Sequence, residues 1–363
     1  MSLFILTGIP SKPIVAPHSE HWLSLNCKSD SFNGSVETMI ESFLEKVEQR
    51  VRATLDQDLL LGREKPQILQ TAARHIAFSG GKRMRSRLIY FYGQILGLEE
   101  QALVDIALAV ELIHTASLLH DDIVDEGKVR RGQPTVNARW GNLVAVLTGD
   151  LMLSLAISVL KPYPREITNE AVDMVVHMTR AAMMEVEARG RLDLGLSFWH
   201  EIAEGKTATV FAFCGRACAH LAGNTLALEQ FSKCGEHLGV AFQLTDDLKD
   251  LQGSEAGKER FADIRNGNPS YPVWYLMEQH PEIRAEWEEY WQAPHLHPEK
   301  QPEELGELLL SKGAADVAEQ VLHEEVEAAL NALGPFLDGE AGQTLHQWIQ
   351  AMVATVFLPV RAS

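Results

Sequence analysis

From about Val36 the chain repeats apolar residues at helical intervals: "VETMIESFLEKVEQRVRATL" places Met39, Ile40, Phe43, Leu44, Val47 and Val51 on one recurring stripe. That spacing predicts an amphipathic α-helix. Segments of the same kind recur almost to the C-terminus, and few stretches alternate with period two, so the pattern predicts an all-α protein. Two segments, "QALVDIALAVELIHTASLLHDDIV" and "NLVAVLTGDLMLSLAISVL", are apolar round most of their circumference, as helices in the middle of a large bundle should be. Gly80-Gly81, Gly132 through Pro134, and "RNGNPSYP" at 265–272 supply the breaks between helices. Residues 1–35, with three prolines and no sustained period, read as an irregular N-terminal extension ahead of a single domain at 36–363. The proline-containing, charged stretch 280–305 reads as a surface connection within that domain.

Composition narrows the possible partners. The chain has 363 residues, 46% of them hydrophobic, enough for one large core. Its 32 Lys and Arg against 50 Asp and Glu give a formal charge of −18, which argues against nucleic acid or an anionic membrane as a general electrostatic partner. An anionic ligand must then be held by local basic groups or by metal ions. Cys27, Cys214, Cys218 and Cys234 lack paired metal-binding spacing, and Cys214 and Cys218 lie in an apolar segment, so they read as buried thiols suited to a reducing cytoplasm. No run of about 18 uninterrupted apolar residues predicts a transmembrane segment. The opening "MSLFILTGIP" lacks the basic start and cleavage site of a signal peptide, so the expected location is cytoplasmic.

The candidate chemistry lies in an echo. "DDIVD" at 121–125 is answered by "DDLKD" at 246–250, and on a helix the i, i+1 and i+4 positions project towards one side. Each motif therefore gathers Asp121, Asp122 and Asp125, or Asp246, Asp247 and Asp250, into a self-repelling carboxylate cluster. One such cluster alone could be a solvated acidic helix end. Two, each following an apolar helical stretch, point to neutralisation by divalent cations, and oxygen-only ligands favour Mg²⁺ over Zn²⁺. Mg²⁺ usually completes its shell with water and substrate phosphate, so the implied ligand is a di- or triphosphate. Basic residues beside glycine-rich breaks or acidic clusters could meet that phosphate: Lys82, Arg83 and Arg85 in "SGGKRMRSR", Arg130 and Arg131, Lys206, and Lys258.

Taken in order, "GGKRMR", "ELIHTASLLHDDIVDEGKVRRGQPT", "GKTA", "GVAFQLTDDLKD" and "GKERFADI" resemble the trans-isoprenyl diphosphate synthases, or polyprenyl synthetases, from about Val36 to the C-terminus. The resemblance implies a single large helical bundle of the isoprenoid synthase type with a central active-site cavity. It implies Mg²⁺-dependent, head-to-tail condensation of isopentenyl diphosphate with an allylic prenyl diphosphate, carried out by a homodimer. By that resemblance Asp121, Asp122, Asp125, Asp246, Asp247 and Asp250 hold several Mg²⁺ ions that bridge to the allylic diphosphate. Arg130, Lys206 and Lys258 match positions that grip this diphosphate; Lys82, Arg85, His114 and Arg131 match the isopentenyl diphosphate pocket. Thr207 and Gln243 match polar groups near the developing carbocation. Ala116 and Ser117, one turn before Asp121, match the first floor of the elongation tunnel; both are small, which implies a medium-to-long all-trans product.

Three features depart from the pattern. Asn268 stands where many members carry a lysine, Ser270 where threonine is usual, and Lys249 where an apolar residue is common. Arg265 could substitute for that lysine, but at a different spacing. A class I terpene cyclase would share the fold and first motif, yet would not need "DDLKD", Lys82, Arg85 or His114. A regulatory subunit of a heteromeric synthase would suit Asn268, but such subunits usually lose an aspartate motif and both stand here.

Overall fold

A computed structural model describes residues 34–56, 67–253, 260–268, 270–292 and 301–357. The described chain is helical almost throughout. The first half comprises α1 (Gly34–Asp56), α2 (Gln67–Ala77), α3 (Met84–Leu96), α4 (Glu100–Val124), α5 (Val136–Trp140), α6 (Asn142–Leu160) and α7 (Arg165–Glu187). It is followed by α8 (Leu196–Ala203), α9 (Thr209–Ala222), α10 (Thr225–Gln252), α11 (Ala262–Arg265) and α12 (Tyr271–Gln279). The remainder is α13 (Pro281–Gln292), α14 (Pro302–Ser311), α15 (Ala314–Leu333) and α16 (Glu340–Met352). Between α4 and α5 the chain makes a small antiparallel hairpin, β1 (Val129–Arg130) with β2 (Gln133–Pro134).

The all-α expectation is met. The helical period at Val36 belongs to α1, which begins two residues earlier, at Gly34; the expected extension otherwise lies outside the described residues. The described parts of the stretch 280–305, residues 280–292 and 301–305, are more regular than its composition suggested. Pro281 and Pro302 each open a helix, because proline at the first helical position loses no hydrogen bond and carries the right φ already. The two long apolar segments are α4 and α6. Both are long and apolar enough to cross a membrane by length and composition, yet the most apolar window of α4 is 72% buried inside this molecule. That of α6 is only 39% buried.

Close packing of α9 on α10 sets the geometry that matters. A Cβ added at Gly239 would stand 2.2 Å from Ala208 Cα, and one at Gly235 2.5 Å from Phe211 O, so the two backbones touch only because these positions are glycine. This contact locks the turn before α9 against the half of α10 that carries the second aspartate motif. On the other side of the bundle Gly149 of α6 leaves room for the His120 ring of α4; a Cβ there would lie 2.3 Å from His120 Nε2. The end of α4 is thereby seated beside α6. Around these contacts Phe211, Phe213, Phe231, Leu88, Leu103 and Trp274 are fully buried, each contributing about 1.5–3 kcal/mol of transfer free energy.

Candidate active site

The first aspartate motif ends α4. Asp121 and Asp125, four residues apart, share a face, whereas Asp122 turns inward and is only 4% exposed. A buried carboxylate needs a partner. Arg130, from the hairpin, supplies a forked one: Nε donates to Oδ1 at 2.9 Å and to Oδ2 at 3.1 Å, and Nη2 lies 2.8 Å from Oδ1. Asn137 fastens the hairpin in place by donating to the backbone oxygens of Asp122 and Gly127. Asp125 is exposed and accepts from Arg189 Nη2 at 2.5 Å.

Asp121 faces the turn before α9. Burial raises its carboxyl pKa, Lys206 opposes the rise, and Glu185 and Asp125 add to it. Lys206 lies in a π-helical turn at 204–208, the kind of local irregularity that often marks a working site. Its ammonium contacts Glu185 of α7. Burial alone would lower the Lys206 pKa; Glu185 and Asp121 outweigh that and raise it, so the group stays charged. Next to it, Thr207 Oγ1 donates to Gln243 Oε1 at 2.9 Å, and Gln243 Nε2 donates to Asp247 Oδ1 at 3.1 Å.

The second motif, on α10, is arranged differently. Asp247 is 5% exposed, and its Oδ2 accepts from Trp199 Nε1 and from the Tyr271 amide, both at 2.8 Å. Burial pushes its pKa up to about 7, against the pull of these hydrogen bonds. Asp250, equally buried, accepts from the amides of Ala262 and Asp263 at 3.1 Å each and so holds the start of α11. Asp246 alone of the three is exposed, with Lys249 Nζ 3.7 Å away. Lys249 does not extend freely into solvent, because its side chain is largely covered and stands over the Phe242 ring.

A cationic wall completes the site. Lys82 is exposed just after the Gly80-Gly81 turn. Arg131 reaches back to the Gly80 carbonyl, and a Cβ on Gly81 would be 3.1 Å from Arg131 Nη1, so the guanidinium lies on the glycine turn. Arg83 is committed elsewhere, to Glu111 at 2.6 Å and the Ala77 carbonyl at 2.8 Å. Arg85 lies over the rings of Phe211 and Phe242, 5.1 and 5.9 Å from their centroids. Its Nε is buried and has no hydrogen-bond partner among the described residues. Burial lowers the Arg85 pKa, with Glu111, Cys214 and Asp246 opposing. Beside it the His114 pKa is held well below its usual range by burial and by Arg85, Arg131, Arg130 and Arg83, so the ring is neutral.

Contacts and charge interactions bring together the sequence-derived residues Arg85, His114, Asp121, Asp125, Arg130, Arg131, Lys206, Thr207, Gln243 and Asp246, and Lys82 follows the glycine turn on which Arg131 lies. Lys258 lies outside the described residues. Ala116 is completely buried and Ser117 half-buried, its hydroxyl bonded to the His114 carbonyl at 2.8 Å. Among the described residues no three His, Cys, Asp or Glu side chains converge closely enough to hold an ion by themselves. Oxygen donors offered from two helices, without imidazole or thiolate, fit a hard cation that takes much of its shell from water and phosphate. Sequence reasoning missed Glu185, Arg189, Glu111 and Trp199. The mixed-sign run "EVEARGRLD" could have flagged the first two, whereas nothing in the chain marks Trp199 as the partner of Asp247.

Residues 66–308 match the family described as Polyprenyl synthetase. The chain belongs to that family. As such it is a prenyltransferase with the all-α fold of the isoprenoid synthases. It is 31% identical over 307 residues to the octaprenyl diphosphate synthase of Escherichia coli (strain K12), covering 81% of this chain and 90% of that one. It is 29% identical over 331 residues to the short chain isoprenyl diphosphate synthase of Methanothermobacter thermautotrophicus, covering 88% and 97%. Among solved structures it resembles the polyprenyl synthase from Caulobacter crescentus CB15 complexed with calcium and isoprenyl diphosphate: TM-score 0.78, 25% identity, 90% of this chain and 97% of the other. These relatives make products of different length, so family membership leaves the chain length of the product open.

Proposed function

We propose that this prenyltransferase joins isopentenyl diphosphate head-to-tail to an allylic prenyl diphosphate, with Mg²⁺, giving a medium-to-long all-trans polyprenyl diphosphate and pyrophosphate. The observation that carries the reading is Arg85. A buried guanidinium nitrogen without a described partner, over the Phe211 and Phe242 rings and near a neutral His114 that also faces Arg131, suits a diphosphate that is not itself at the aspartate clusters. A second anion site next to the first is what a two-diphosphate condensation needs.

In this reading Asp121, Asp125 and Asp246 would hold the metal, which supplies Lewis-acid stabilisation of the charge on the departing diphosphate. Lys206, kept cationic by Glu185 and Asp121, would face the charge that builds there. Thr207 donates to Gln243 Oε1 and Gln243 Nε2 to Asp247, a chain that fixes both side chains, and their remaining oxygen lone pairs would be available to the allylic cation left behind. The double bond of isopentenyl diphosphate attacks this cation, and a proton is lost from the adduct, with the released pyrophosphate as the base. Buried apolar side chains below the clusters exclude the water that would trap the cation. Assay with isopentenyl diphosphate, Mg²⁺ and allylic diphosphates of graded length tests the reading. A cyclised hydrocarbon would indicate a terpene cyclase, and no turnover without a second protein would indicate a regulatory subunit.

Product length follows from the same helix. Ala116 is one turn before Asp121, and Leu112, one turn deeper, is buried with Met152 and Leu155 of α6. Ala116→Phe should shorten the product towards the farnesyl or geranylgeranyl class, with an overpacking penalty of about 1–3 kcal/mol. An unchanged product distribution would place the tunnel on another face. The proposed twofold dimer forms through α6, whose Leu143, Val146 and Leu147 are exposed at spacings of three and four, supported by Val172 and Val176 of α7. Sedimentation at micromolar concentration should find a dimer. The buried free thiols of Cys214, Cys218 and Cys234 support a cytoplasmic location.

A further inference from the structure

The sequence singled out Asn268 as a departure, and the structure joins it to a residue that the sequence did not single out. The loop from α7 to α8 meets the loop from α11 to α12 at Gly190 and Gly267, where the Gly190 amide donates to the Gly267 carbonyl at 2.8 Å. Gly267 has φ +69°, and a Cβ there would lie 3.2 Å from the Gly190 nitrogen, so the approach requires glycine. Beside this contact Arg189 Nε donates to Asn268 Oδ1 at 3.0 Å, while Nη2 donates to Asp125 Oδ1 at 2.5 Å. Asn268 is in turn steadied by its own amide, which donates to the Asp263 carbonyl at 2.8 Å. Arg189, on the loop after α7, is thus held by Asn268 of the loop after the second motif and aimed onto Asp125, the last aspartate of the first.

Resting on the proposed reaction, we propose that Arg189 is a diphosphate-binding residue and that Asn268 is the residue that positions it. The Arg189–Asp125 pair is partly exposed, with side chains 31% and 45% accessible, and pairs of that kind are easily exchanged. Asp125 would be among the residues that hold a divalent cation, and its carboxylate would then be shared with that charge. Arg189, released from Asp125 in that state, would need a new anion. The one that the reaction brings to this place is the allylic diphosphate, whose oxygens match the planar fork of the guanidinium. Asn268 carries no charge to offer the diphosphate; its carbonyl oxygen fixes the Nε edge and leaves the other edge free to turn.

The test uses the full chain, with inorganic pyrophosphate in Mg²⁺ as the calorimetric probe and steady-state kinetics as the second readout. Arg189→Gln should weaken pyrophosphate binding about tenfold or more and raise the allylic KM while leaving the isopentenyl diphosphate KM near wild type. Adding Asn268→Lys to Arg189→Gln should restore most of the lost affinity. Asn268→Ala, which keeps the charge and loses the aim, should give a smaller loss of the same kind; it serves as the deciding variant if Arg189→Gln does not fold. Unchanged pyrophosphate affinity in the folded variants, or an effect on the isopentenyl diphosphate KM alone, would overturn the assignment. Wild-type protein that binds no pyrophosphate with Mg²⁺ would instead overturn the reaction on which it rests.

Discussion

At the end of α4, Asp122 and Asp125 are held by guanidinium groups that arrive from loops, Arg130 and Arg189. At the matching place on α10, the partners of Asp247 and Asp250 among the described residues include several neutral donors: the Trp199 indole, the Gln243 amide, and the backbone amides of Tyr271, Ala262 and Asp263. The spacing of the two motifs is identical, but the described partners of their buried or capped members differ in charge. An ion pair with a loop arginine can be traded for a metal and a phosphate, because charge is exchanged for charge. A buried carboxylate that satisfies several neutral donors cannot leave them without stranding each one, at about 1–3 kcal/mol apiece. The partly exposed Asp125–Arg189 pair of the first cluster is therefore free to change partners, whereas Asp247 and Asp250 of the second hold α8, α10, α11 and α12 in register, with Asp246 as its outward member.

The largest effect that could break this contrast is on turnover. Asp121→Ala and Asp246→Ala should each lower kcat/KM by about a hundredfold or more, since they act on a charge that develops only as the diphosphate leaves. Both should unfold near the wild-type temperature. Near-normal activity in either would remove it from the metal set.

Stability separates the clusters next. Asp247→Ala should lower the unfolding free energy by about 2–5 kcal/mol in urea, because Trp199, Gln243 and the Tyr271 amide lose their acceptor together. Asp125→Ala should change it by less than about 1 kcal/mol, as expected for an exposed pair. Equal losses in the two variants would mean that the second cluster is not the structural one.

The smallest effect is the pH response, which should differ in sign between the two regions. His114 titrates well below its unfolded value of 6.5, so below about pH 6.5 the unfolded chain binds a proton that the native state refuses. Stability from this group is present above that pH and is lost as the pH falls. Asp247 titrates at about 7 against an unfolded value of 3.8, so here the native state binds the extra proton and stability declines as the pH rises from about 4 to about 7. His114→Gln should flatten the acid-side loss in urea titrations at a series of pH values, and Asp247→Asn the decline towards neutrality. If each variant altered the other's window, the two assignments would be exchanged.

The helical period in "VETMIESFLEKVEQRVRATL" and the apolar circumference of the segments at α4 and α6 were enough to read an all-α bundle, since side-chain periodicity follows directly from helix geometry. The D-D-x-x-D spacing likewise placed each aspartate set on one helix end. Proline-led helices at 281 and 302 were not legible, because the same residue that breaks a helix also starts one, and local composition cannot tell which.

What the sequence determined by itself was the helical class, the two carboxylate clusters and the basic residues around the proposed phosphate sites. Each depends on residues near one another along the chain. What only the tertiary structure decided was which partner each aspartate meets. Asp247 meets Trp199, 48 residues away, and Asp125 meets Arg189, 64 residues away, itself aimed by Asn268 at a separation of 79. Helical spacing assigns a side chain to a face of its own helix. What stands opposite that face depends on how helices pack, and here on backbone contacts such as that of Gly239 with Ala208.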